Sequence, residues 1–96
     1  MTLFDLRHKY RDEILQIAKE CGIESVKVFG STARGDATED SDIDFLISAG
    51  EKASLLDIGR FKWRAEELLC KNVDIVFEGR LHHSIVDRVE AEALTL

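Results

Sequence analysis

The stretch Gly30-Ser31-Thr32-Ala33-Arg34-Gly35, with Asp42-Ile43-Asp44 ten intervening residues beyond Ser31, decides the reading of this chain. Its first half is a small-residue turn, which lets backbone N–H groups approach a phosphate closely. Its second half sets two carboxylates at alternate positions, on one face of a strand and roughly 7 Å apart. Apolar runs flank the pair: Val26-Lys27-Val28-Phe29 before it and Phe45-Leu46-Ile47 after it. A phosphate turn joined to paired acids is what a metal-dependent nucleotide site requires.

Outward from this core, the pattern alternates helices and strands. Leu3, Leu6, Tyr10, Ile14, Ile17 and Cys21 form a helical stripe of about five turns, opened by Thr2 with Asp5 as a capping box and stopped at Gly22. Glu24 to Phe29 reads as a strand ending at Gly30, a short helical turn starts at Ser31, and Gly35 to Ser41 forms an acidic loop. Asp42 to Ser48 reads as a second strand, with a turn over 49–52. Ser54 with Asp57 marks another helix start, continued by Leu55, Ile58, Lys62, Ala65 and Leu69, although Gly59 within it costs about 1 kcal/mol. Val73 to Phe77 is a third strand, and Ser84 with Asp87 opens a last helix that includes Ile85, Val89 and Leu96. The expectation is one α/β domain over residues 1–96.

Composition agrees with that scale. Ninety-six residues suit one core, and 45% apolar with 33% charged residues fit a soluble globular chain. No run approaches the ~18 apolar residues of a membrane span, and the N-terminus lacks a signal peptide's basic start and apolar centre. A cytoplasmic protein is expected. Cys21 and Cys70 lack metal-ligand spacing and read as free, buried small hydrophobes. The net charge of −6 argues against direct nucleic-acid binding, which needs a basic patch. His82 and His83 read as a surface turn, and Trp63, beside Arg60, Lys62 and Arg64, as a half-buried helix residue or a partner contact.

Strand phase adds a third acid. If Ile43, Phe45 and Ile47 face the core, Asp42 and Asp44 face away. In the third strand Val73, Ile75 and Phe77 share a face and leave Asp74 on the other. Two carboxylates ~4 Å apart repel by about 4 kcal/mol at an effective dielectric near 20. If the second and third strands are neighbours in register, the three acids converge and call for a divalent ion, and an all-oxygen set that also meets phosphates suits Mg²⁺. Two look-alikes fail. Asp40, Asp42 and Asp44 fit the first positions of a calcium loop, but Phe45 stands where that loop needs its turning glycine. Gly30 and Gly35 fit a P-loop frame, but Asp36-Ala37 replaces its Lys-Ser/Thr.

The combination of Gly30-Ser31, Ala33-Arg34-Gly35, Asp42-Ile43-Asp44, Asp74 within Val73-Asp74-Ile75-Val76, and Ile85 to Ala91 resembles the minimal nucleotidyltransferases of the DNA polymerase β-like superfamily. That resemblance implies the polymerase β-like fold, a small mixed sheet flanked by helices, and transfer of a nucleoside monophosphate from an NTP to a hydroxyl. It assigns Gly30, Ser31 and Arg34 to the nucleotide phosphates. It assigns Asp42, Asp44 and Asp74 to catalysis and to Mg²⁺, two ions during the reaction. Arg34 has a plainer alternative, pairing with Asp36 or Glu39, and Asp36, Glu39 and Asp40 read as loop solubility. With only one helix expected after the third strand, the acceptor should come from another chain. The resemblance implies ATP as donor and a HEPN-family ribonuclease toxin as partner, in a hetero-oligomer, with AMP placed on its tyrosine by the antitoxin. A non-catalytic antitoxin that masks its HEPN partner is the competing reading. A small-molecule nucleotidyltransferase is disfavoured because no substrate domain is present.

Overall fold

The computed structural model describes residues 1–50, 53–77 and 93–96. The first helical stretch consists of α1 (Leu3–Asp5), a π-turn over Leu6–Tyr10 and α2 (Arg11–Glu20). The Thr2–Asp5 capping box forms in both directions, at 3.1 and 3.3 Å. The π-turn explains how the apolar stripe stays on the core. Two successive four-residue steps, Leu6 to Tyr10 to Ile14, would drift around a 3.6-residue helix, and a wider turn absorbs the excess. Leu6 and Ile14 are accordingly fully buried.

Strands β1 (Ile23–Phe29), β2 (Ile43–Ala49), β3 (Val73–Phe77) and β4 (Leu94–Thr95) form one sheet in the order β3-β2-β1-β4. The pair β1–β2 is antiparallel, β2–β3 parallel and β1–β4 antiparallel. The parallel pair needs a crossover, which α4 (Leu55–Leu69) supplies. The Ser54–Asp57 capping box starts α4, and Phe61, Ala65 and Leu69 turn its apolar face inward. Phe61 meets Phe45 with ring centroids 6.1 Å apart. Each such fully buried side chain contributes about 1.5–3 kcal/mol of apolar transfer. No described helix is long and apolar enough to cross a membrane.

Three expectations change. The predicted last helix lies mostly outside the described residues, as do His82 and His83. Its predicted end, however, is a strand: Leu94 and Thr95 pair with Val28 and Lys27, and Leu96 is buried. The edge of β1 offers backbone partners that outweigh helical periodicity at this end of the chain. Asp42 lies one residue before β2 rather than within it. Cys21 is buried as expected, but Cys70 is exposed. Cys70 occupies the left-handed position that ends α4, at φ 55°, a place glycine more often takes.

Candidate active site

Register brings the predicted residues to one end of the sheet. Phe29, the last residue of β1, pairs with Asp44 in the antiparallel ladder, and Asp44 pairs with Asp74 in the parallel one. Ile43 and Phe45 on either side of Asp44 are buried, so alternation sends the Asp44 side chain to the opposite face. Val73 is buried and Asp74 exposed for the same reason. Asp42 is exposed at the end of the loop.

The electrostatics record this crowding. Burial pushes the Asp44 carboxyl above its ordinary pKa, and the charge and hydrogen bond of Asp74 push it further. The charge of Asp42 acts in the same direction, while Arg34 pulls the other way. Asp44 and Asp74 thus behave as an interacting pair, with Asp42 as a neighbouring charge. Among the described residues no three metal-binding side chains form a ready-made cage. An all-carboxylate pair with a third acid nearby still fits Mg²⁺, which takes one or two carboxylates and completes its shell with phosphate oxygens and water.

Gly30 sits against this pair. Its φ is +72°, and a Cβ built on it would collide with Asp44 Oδ2, with Asp44 Cγ 3.1 Å away. The sequence alone gave Gly30 a role toward phosphate; the structure adds a carboxylate that already fills the space of a side chain. Gly30 also opens the short helix α3 (Gly30–Arg34). That turn closes where Gly35 and Asp36 donate their N–H groups to the Ser31 carbonyl, at 3.0 and 3.1 Å. Ser31 is half-buried beside Gly30. Thr32 is buried, and its hydroxyl has no partner among the described residues. Arg34 pairs with Asp36 at 3.4 Å, both largely exposed, so the plainer alternative for Arg34 is realised alongside its influence on Asp44.

Sequence reasoning missed the residues that hold the acids in place. Thr38 N–H donates to Ser41 Oγ at 2.9 Å, and Ser41 N–H returns a bond to the Thr38 carbonyl at 3.1 Å. The Lys71 ammonium donates to the Glu39 carbonyl, and Ile43 N–H donates to the Asn72 carbonyl at 3.0 Å. Glu66 accepts from Val73 N–H at 3.1 Å. The Thr-x-x-Ser spacing was the one local signal for this network; the Lys71–Glu39 and Ile43–Asn72 bonds join residues far apart in sequence, and Glu66 reaches Val73 across the end of α4.

Comparison with known proteins bears on this geometry. Residues 8–96 match the family described as Nucleotidyltransferase domain. A candidate protein adenylyltransferase of Methanocaldococcus jannaschii is 38% identical over 87 residues, covering 91% of this chain and 94% of that protein. A solved structure of a candidate minimal nucleotidyltransferase superposes with a TM-score of 0.88 at 43% identity, covering 100% of this chain and 97% of the other. A structure of a tri-AMPylated Shewanella oneidensis HEPN toxin in complex with an MNT antitoxin shares the fold at 15% identity. Its TM-score is 0.66, over 88% of this chain and 66% of that one.

Proposed function

The chain belongs to the nucleotidyltransferase domain family, and from that premise we propose that it is a cytoplasmic, Mg²⁺-dependent protein adenylyltransferase that moves AMP from ATP to a tyrosine of a HEPN-family toxin. The observation that carries this reading is the shared register of Phe29, Asp44 and Asp74, which sets the Gly30 turn beside a carboxylate pair. Relatives named as protein adenylyltransferases support the reaction class, and the fold shared with an MNT antitoxin bound to an AMPylated HEPN toxin supports the partner.

The roles follow from residue chemistry. Backbone at Gly30 and the N–H and hydroxyl of Ser31 meet the triphosphate, and Arg34 offsets part of its charge. Asp42, Asp44 and Asp74 would hold Mg²⁺, which when bound would supply charge neutralisation at the pyrophosphate and acidify the acceptor hydroxyl. The tyrosine oxygen bonds to the α-phosphorus in line with the departing oxygen. Pyrophosphate leaves with the electron pair of the broken bond, and the hydroxyl proton departs toward Asp74, the exposed member of the pair. Positioning and charge neutralisation supply most of the acceleration.

The test is to incubate the chain with ATP, Mg²⁺ and a HEPN-family protein, then weigh both polypeptides. An AMP-sized mass gain on the partner, lost in Asp44→Asn, is expected. A tight complex without mass gain favours the masking reading, for which the exposed Leu55, Leu56 and Trp63 are the supporting observation.

A further inference from the structure

Helix α4 carries an apolar face that no described residue covers. Leu56 and Trp63 stand 75% and 61% exposed, with Leu55 beside them. Residues 56, 59 and 63 fall on one helical stripe, and the middle one is Gly59, with nothing within 4 Å of where its side chain would be. A mid-helix glycine costs about 1 kcal/mol relative to alanine, and no contact among the described residues calls for one here. It leaves a notch between Leu56 and Trp63 in which a second helix can lie close.

Charge identifies what fits. The cations of this helix are matched: Arg60 to Asp57 at 3.6 Å, Lys62 to Glu66 at 3.2 Å and Arg64 to Glu20 at 2.9 Å. Toward its C-terminal end the face runs into a cleft of about 520 Å³ that Trp63 borders together with Glu39, Asp40, Asp42 and Glu67. None of these four acids has an ion-pair partner among the described residues. Lys71, the cleft's cation, is turned to the Glu39 carbonyl. Glu39, Asp40 and Glu67 repel a triphosphate from this cleft, which opens onto Asp42 rather than onto the Gly30 turn. A second copy of the chain would bring the same acids and be repelled as well.

We propose that this surface, from Leu56 across Gly59 and Trp63 into the acidic cleft, docks the AMP-acceptor protein, and that its occupant is an amphipathic helix. The helix covers Leu56 and Trp63 with apolar side chains and places arginine or lysine in the cleft, where the Trp63 ring can stack on a guanidinium. The proposal rests on the reading that the acceptor is a protein, and it puts donor and acceptor on opposite sides of the Asp42–Asp44 pair.

Trp63 is the chain's one tryptophan, so its emission reports occupancy directly. The probe is a helical peptide of about 18 residues with leucines along one side and arginines beside them, set against the same peptide with glutamates for arginines. The arginine peptide should change Trp63 emission saturably, more weakly as salt rises, and bind at least about tenfold tighter than the glutamate peptide. Leu56→Lys and Glu67→Lys should each weaken it about tenfold while ATP affinity stays unchanged. Equal binding of the two peptides, unchanged binding in both variants, or self-association of the free chain through this face in sedimentation equilibrium would overturn the proposal. Docking without any AMP transfer to a HEPN-family protein would instead remove the transferase reading and leave this surface standing.

Discussion

Gly30 lies directly against the carboxylate of Asp44, closely enough that any β-carbon on it would displace the acid. The turn expected to meet phosphate and the acid expected to hold metal are therefore one packed unit. Antiparallel pairing of Phe29 with Asp44 makes them so.

Gly30→Ala tests that unit. The left-handed backbone alone costs about 1–2 kcal/mol for a residue with a side chain, and the collision with Asp44 adds to it. Gly35, at φ +86° with open space around it, carries the backbone cost without the collision. In chemical denaturation Gly30→Ala should lose clearly more stability than Gly35→Ala, together with AMP transfer. Pairing Gly30→Ala with Asp44→Gly should recover the difference between them; additive losses would show that the two residues are not in contact.

Asp44 also fixes a pH dependence. Burial and its acidic neighbours raise its folded pKa above the ordinary 3.8. A group raised in this way contributes stability that is fully present below its unfolded pKa and is lost as pH rises through the folded one. Without nucleotide or Mg²⁺, the wild-type thermal midpoint should carry a falling component from about pH 4 upward that Asp44→Asn lacks. At neutral pH Asp44→Asn should be the more stable protein and, on the proposed reading that this acid would hold the metal, the inactive one. A variant of lower stability and undiminished transfer would place the metal site elsewhere.

Glu66 holds the start of the strand that carries Asp74. Its carboxylate accepts the Val73 N–H and pairs with Lys62, and the first of these holds its pKa below the ordinary 4.5. The sign is opposite to that of Asp44: the contribution is present above the unfolded pKa and fades as pH falls through the folded one. Glu66→Ala should lower the melting temperature at pH 7, and the gap from wild type should close in strong acid. Because Val73 adjoins Asp74, transfer should fall as well. A gap of constant size across that range would assign the loss to packing rather than to the hydrogen bond.

The parts of this structure that were legible in the sequence are those set by neighbours in the chain. Thr2 with Asp5 and Ser54 with Asp57 cap helices because the partners lie three residues apart. Alternation through Ile43, Asp44 and Phe45 gave the faces of β2 for the same reason. Apart from the family resemblance, Asp74 was legible on the supposition that β2 and β3 run side by side in register, which the parallel ladder satisfies. What escaped depends on distant partners. The contact of Gly30 with Asp44 needs the register of β1 on β2. The strand at Leu94 needs the free edge of β1. The exposure of Trp63 depends on how α4 is rotated about Phe61 and Ala65, which a mixed stripe interrupted by Gly59 does not specify.

Arg34 separates a surface ion pair from a substrate contact. Its bond to Asp36 is long, at 3.4 Å, and lies in solvent, where such pairs contribute about 0–1 kcal/mol. Asp36→Ala should therefore leave the melting temperature and AMP transfer nearly unchanged. Arg34→Ala removes the charge that draws the Asp44 pKa down and, on the present reading, a charge that faces the triphosphate. The KM for ATP should rise about tenfold, the worth of one charge-assisted hydrogen bond of roughly 1.5 kcal/mol, with little change in fold stability. Steady-state kinetics on the two single variants decide between the roles. Matching losses in both would mean that the Arg34–Asp36 pair acts by shaping the turn, whereas a loss confined to Arg34→Ala assigns the guanidinium to the nucleotide.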